Sequence, residues 1–164
     1  MFMQLQTRNL INNIGTREDQ ELEIAEGLFR LLANTYTLYF KTHSFYWNIT
    51  GSSSPVLQGL FEEHYTELAH TIDDIAKRIR SLGFPVPSTY SEFARLSAVP
   101  ETAGVPSAEE MVALLLDDNK TVMRAARALV PTAKQAGDEL TVRLLTERVH
   151  WHDRTIWMLR SLLN

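Results

Sequence analysis

Between residues 55 and 82 apolar side chains return every three or four positions: Phe61, Tyr65, Leu68, Ile72, Ile75, Ile79 and Leu82. A helix turns through 3.6 residues, so this spacing draws one apolar stripe along a long α-helix. Gly83 stands at the C-terminal stop position, and Pro85 and Pro87 follow where a helix cannot continue. One apolar face on a helix of that length asks for other helices to cover it.

The rest of the chain supplies them. Over 19–47, Ile24, Leu28, Leu31, Leu38 and Phe45 recur at spacings of three, four or seven. Gly51, three serines and Pro55 then mark a turn. The stretch 84–106 is too long for a simple turn, and 88–96 inside it reads as a short helix. A third long helix starts at Ser107, an N-cap with Glu110 in the capping-box position. It carries Leu115, Val122, Ala126 and Leu129 and is expected to end at Pro131. A fourth spans about 138–163. Nothing alternates with period two, and no repeat or low-complexity tract stands out. The expectation is all-α: a four-helix bundle with a short extra helix in the long connection between the second and third long helices. A crossover of that length joins parallel neighbours, as in ferritin-like folds. Periodicity alone also permits a cytokine-like bundle or a helical adaptor.

Composition narrows the classes. At 164 residues and 45% hydrophobic, the chain suits one domain with a substantial core. That domain is expected over 19–164, behind a polar arm over 1–18. No cysteine means no disulfide and no thiolate metal site, which fits a reducing compartment. No signal-peptide pattern or membrane span is visible, so a cytoplasmic location is expected. Sixteen basic against 20 acidic side chains give a net charge of -4, which argues against a whole-protein footprint for nucleic acid.

Specific residues go further. Leu31-Leu32-Ala33, Thr35-Tyr36-Thr37-Leu38, Lys41-Thr42-His43, Trp47-Asn48 and Gly51 resemble the first-helix signature of the Dps family, the mini-ferritins of the ferritin-like superfamily. Phe61-Glu62, Asp73, Ile75-Ala76, Arg78-Ile79 and Leu82-Gly83 resemble its second helix. His152-Asp153-Arg154-Thr155 and Trp157-Met158-Leu159-Arg160 resemble its closing helix. The resemblance covers about 20–163. It implies a dodecameric shell around a cavity that stores ferric oxide, protection from oxidative stress, and often protection of DNA.

The resemblance also implies where ferrous iron is oxidised: between two subunits, by a His just before the first-helix Trp, a His early in the second helix, and two carboxylates four residues apart further along it. Those positions are Tyr46, Gln58, Asp73 and Lys77. Only Asp73 keeps its ligand type, beside Glu62, a helper carboxylate in the family. Tyr and Gln are weak neutral ligands, and the Lys77 ammonium repels a cation. Asp73 and Lys77 are placed to pair at i, i+4. Two readings stay open: a structural polar cluster at a subunit contact, or a remodelled iron site built from Asp73, Glu62 and His43. The family's own ferroxidase activity is expected to be weak or lost. A structural, stress-associated assembly protein that mixes with an active homologous subunit is the alternative.

A second site must be weighed, because Glu67 and His70, and Glu147 and His150, have the Glu-x-x-His spacing of in-bundle di-iron sites. At about 100° per residue, the stripes of Phe61, Leu68, Ile72, Ile79 and of Leu145, Val149, His152, Ile156, Leu159 turn those pairs away from the core. Asn34 occupies the position for a first-helix carboxylate. His152 is expected as a hydrogen-bonded core residue and His64 as a surface residue. Trp47 and Trp157 match family tryptophans beside the oxidation site, Glu62 and Glu63 are candidates for mineral nucleation, and Gly137-Asp138-Glu139 for an acidic pore that Arg143 compromises. The arm offers Arg8 and Arg17 and no lysine, so tight DNA binding through it is not expected.

Overall fold

The computed structural model describes residues 17–164, which form five helices: α1 (Arg17–Asn48), α2 (Ser54–Ser81), α3 (Tyr90–Leu96), α4 (Ala108–Gln135) and α5 (Glu139–Ser161). The expected arm lies outside the described residues except for Arg17 and Glu18, which open α1. Helix α1 packs against α2, α3 and α4, and α4 against α5. Cross-helix bonds fix the directions. Glu23 meets Thr132 and Lys41 meets Asp118, so α1 and α4 run antiparallel. Glu67 meets Arg148 while Arg78 meets Thr141, so α2 and α5 do as well. With α4 and α5 joined by a tight turn, α2 and α4 are parallel, and the connection holding α3 is the single crossover.

Local chemistry sets the ends. Gly83 adopts φ 94°, a left-handed conformation that only glycine takes cheaply. It lets Phe84 N–H reach back to Ile79 O at 3.3 Å and closes α2. Ser107 and Glu110 form the expected reciprocal box at the start of α4, with Ser107 N–H donating to Glu110 Oε2 at 2.8 Å. An unforeseen box of Thr89 and Glu92 opens α3.

Three expectations need correction. Helix α4 does not stop at Pro131 but runs to Gln135. A proline inside a helix forfeits one backbone bond and costs about 3 kcal/mol, but its ring points to solvent here and the turn beyond it buries Ala133. The real stop is Gly137 at φ 68°. Next, His64 is buried, 4% exposed. The innermost line of α2 is Leu57, Phe61, His64, Leu68, Thr71, Ile75 and Ile79, with Tyr65 and Ile72 on its flanks. Finally, Glu67 is half-buried against α5, where Arg148 holds it, rather than turned away.

The other stripes are as expected: Ile24, Leu28, Leu31, Leu38 and Phe45 of α1 and Leu115, Val122, Ala126 and Leu129 of α4 are buried in one core with Phe61 and Leu145. Truncating a fully buried Phe such as Phe61 to Ala costs about 3–5 kcal/mol. Asn34, also buried, anchors the crossover by accepting Ala98 N–H at 2.6 Å. It does the work of a tether where an in-bundle metal site would want a carboxylate.

Candidate functional site

The expected site residues fall into two groups on the outside of the α1–α2 pair. The first sits where α1 ends. Tyr46 is half-buried, with its ring 5.4 Å from Tyr65 in an edge contact. His43, one turn earlier, stacks on Tyr65 at 4.2 Å and lies 4.2 Å from Trp47. Positions 39, 43, 46 and 47 share one side of α1 because they are spaced by three and four. Gln58 and Glu62 stand early on α2, Gln58 half-buried and Glu62 and Glu63 exposed. Burial raises the pKa of the Tyr65 phenol, and Glu62, Tyr46 and Tyr39 raise it further.

The second group is Asp73 and Lys77. Their side chains join at 2.6 Å and both remain largely in solvent. The hydrogen bond to Asp73, then the Asp73 charge, raises the Lys77 ammonium above the ordinary lysine range, with Asp74 adding to it. The cation beside Asp73 in this chain is therefore an ammonium.

Helix geometry separates the two groups. At 1.5 Å rise per residue, Gln58 and Asp73 lie about 22 Å apart along α2, and Glu62 and Asp73 about 16 Å. One chain cannot bring Tyr46 or Gln58 and Asp73 to one ion, nor Glu62 and Asp73. Among the described residues of one chain, no three His, Asp or Glu side chains converge to hold a metal. A site built from both groups requires two copies. Trp47 and Trp157 are exposed in the single chain, at 58% and 71%.

The bundle interior holds a polar layer that the sequence hardly announces. Lys41 donates to Asp118 at 2.7 Å, linking α1 to α4 with both side chains buried. Burial pushes the Asp118 carboxyl pKa up, and Lys41 opposes it. Asn119 donates from Nδ2 to Leu115 O at 2.7 Å, which leaves its Oδ1 to accept from His152 Nδ1, also at 2.7 Å. His152 is thereby a neutral tautomer with its proton on Nδ1, and burial, then Arg148 and His64, bring its pKa to about 3. His64 lies edge-on to Trp151 at 5.6 Å, and burial brings its pKa to about 4. His70, Glu147 and His150 are exposed, and Glu147 is taken by Arg143 at 3.0 Å. The two Glu-x-x-His pairs do not meet.

At the start of α5, Asp138 caps the helix through Thr141 N–H at 3.0 Å and binds Arg78 at 2.8 Å. Burial alone would raise its pKa, but the bonds from Thr141 and Arg78 outweigh it and hold it below the usual range. Of the expected acidic pore, Asp138 is thus a structural cap.

The comparisons agree with this architecture. The chain matches the family model described as Ferritin-like domain over residues 25–164. It is 31% identical to a DNA protection during starvation protein of Porphyromonas gingivalis, across 94% of this chain and 97% of that one. It is 38% identical to an uncharacterized low temperature-induced protein of a Nostoc species, across 92% and 86%. The Dps crystal structure from Vibrio cholerae O1, whose description places that protein among ferritin-like diiron-carboxylate proteins, superposes with a TM-score of 0.89 at 28% identity, covering 97% of this chain and all of that one. The Bacillus brevis Dps structure gives 0.86 at 30% identity, covering 92% and 100%. The chain belongs to the Dps family of ferritin-like proteins. Among the described residues no helix is long and apolar enough to cross a membrane.

Proposed function

We propose that this protein is a Dps-like mini-ferritin of the cytoplasm, a hollow dodecamer that binds or stores iron and protects against oxidative stress, with its own ferroxidase site weak or lost. Relatives bear names that refer to DNA protection during starvation and to general stress, which supports the protective role. The observation that carries the weakened site is the Asp73–Lys77 pair at 2.6 Å. Ferrous iron is a substrate that binds where carboxylates and imidazoles supply negative charge and lone pairs. Here Lys77 occupies Asp73 and brings a positive charge to the place where the iron would sit, while Tyr46 and Gln58 replace imidazole by weak neutral donors. The iron that remains accessible to such a cage would be held by exposed carboxylates such as Glu62 and Glu63.

An anaerobic ferrous titration followed by oxygen or peroxide tests the reading on the assembled protein. The expected result is weak, unsaturated ferrous binding and oxidation little faster than in buffer, from a particle that light scattering sizes as twelve chains. Well-occupied iron on Asp73 and Glu62 in crystals soaked anaerobically with ferrous salt would show a remodelled working site instead. A monomer or simple dimer in light scattering would refute the cage.

A further inference from the structure

The bundle interior leaves one nitrogen without a partner. His152 is wholly buried, and among the described residues its Nε2 is the buried side-chain polar atom that meets no hydrogen-bond partner. The other ring nitrogen is fixed. Asn119 donates from Nδ2 to Leu115 O, so its Oδ1 accepts from His152 Nδ1 at 2.7 Å. That arrangement sets the tautomer and leaves a lone pair on Nε2, on the side of the ring turned from Asn119. A buried acceptor without a donor is an exception that asks for a ligand.

A second imidazole lies opposite. The Glu67–Arg148 bond sets the register of α2 against α5, which run antiparallel. One turn further along, toward the start of α2 and the end of α5, stand His64 and His152, both on the buried lines of their helices. Each ring is edge-on to Trp151, at 5.6 Å for His64 and 4.9 Å for His152. His64 makes no hydrogen bond to any described residue. The remaining polar groups of this layer are already engaged: Arg148 with Glu67 and Thr71, Lys41 with Asp118, and Asn119 with Leu115 and His152.

We propose that His64 and His152 form a two-coordinate site for one cuprous ion inside each chain. The donors select the ion. A soft d10 monocation is satisfied by two neutral imidazole nitrogens in line, whereas zinc takes four ligands and the harder divalent ions want carboxylate oxygens. Both carboxylates of the layer are held by cations, Glu67 by Arg148 and Asp118 by Lys41. A dication would also bring twice the charge to a place where Arg148 already stands. The bond from His152 Nδ1 to Asn119 is the outer support that metal-bound imidazoles carry, holding the ring and raising its basicity. No cysteine offers a competing thiolate. The site lies within one bundle, so it depends neither on the cage nor on the ferroxidase reading.

The test is an anaerobic titration of the assembled protein with cuprous ion delivered as its bicinchoninate complex, following the chelate colour and the tryptophan fluorescence. The expected result is one ion withdrawn per chain, with fluorescence falling over the same range. In Trp151→Phe the ion should still bind and the fall should disappear. His64→Leu should weaken binding at least about 100-fold, more than the loss of an outer partner costs. His152→Gln, which keeps a donor for Asn119, should do the same. His70→Ala combined with His150→Ala, both at exposed positions, should bind as the parent does. No ion withdrawn by the parent, binding that survives in His64→Leu and His152→Gln, binding lost with the exposed pair, or quenching that persists in Trp151→Phe would each overturn the site. The Trp151 reading leaves both histidines in place, so it decides the matter should their variants fail to assemble.

Discussion

Lowering the pH from 7 to 5 should strip this bundle of several kcal/mol per chain, and two histidines should account for it. His64 and His152 have folded pKa values of about 4 and about 3 because burial penalises the imidazolium. In the unfolded chain an imidazole titrates near 6.5. Between those limits the unfolded state binds more protons than the native state, so stability rises with pH across the window and is lost as pH falls through it. The groups around the pair reinforce the sign. Arg148 lies on the same side of α5 and adds its own positive charge to the penalty on His152, and His64 adds to it. Glu67 is already committed to Arg148, and Asp118 to Lys41. At 1.36 kcal/mol per unit and group, the 1.5 units from 6.5 to 5 amount to about 2 kcal/mol for each histidine and about 4 for both. With an unfolding entropy of about 2.1 cal/mol/K per residue, that is a fall in Tm of roughly 12 °C. Urea unfolding at fixed protein concentration, with the particle size checked at each pH, measures it. His64→Leu should lose about half of the pH dependence, and His152→Gln likewise. A parent whose stability is flat between pH 7 and 5, or variants with the parent's slope, would refute the reasoning.

Removing one member of the interior ion pair by Lys41→Met should cost about 3–5 kcal/mol by urea unfolding at pH 7, because Asp118 is left charged and buried, whereas adding Asp118→Leu should return most of it; equal losses in the single and double variants would be contrary. In ferrous binding and peroxide-dependent oxidation, Tyr46→His, Gln58→His and Lys77→Glu together should restore activity without changing the particle, and each alone should do little. No gain from the triple variant would mean that these positions do not define the site. A gel shift at moderate salt should show no stable complex with DNA in the absence of divalent metal, since the chain is acidic and its first residues carry no lysine; a stable complex would point to a basic surface elsewhere.

Much of the fold was legible because helical periodicity is a strong signal where the apolar stripe is long. The stripes of α1 and α4 and the box at Ser107 all fell where they were read. The error at His64 came from counting only apolar residues. Phe61, His64, Leu68, Thr71 and Ile75 are spaced by three and four as regularly as the apolar set that was chosen, and a polar residue in such a series marks an interior polar contact rather than a break in the face. Pro131 misled for the converse reason: a local preference of a few kcal/mol yields when the turn beyond it buries side chains. Lys41 and Asp118 are 77 positions apart and carry no motif, so only the antiparallel packing of α1 on α4 reveals them. The site is legible to a different depth. Asp73 and Lys77 could be paired from their spacing, and they are, but the distance between Gln58 and Asp73 turns on the rigid length of α2. That length makes a second copy of the chain a necessary part of any metal centre using both ends, so Lys77 is best understood through what it does to a neighbouring subunit. In the proposed cage, an Asp73 held by Lys77 would withdraw one half of a shared site, and a partner chain that retains its imidazoles would gain nothing from this one at that contact.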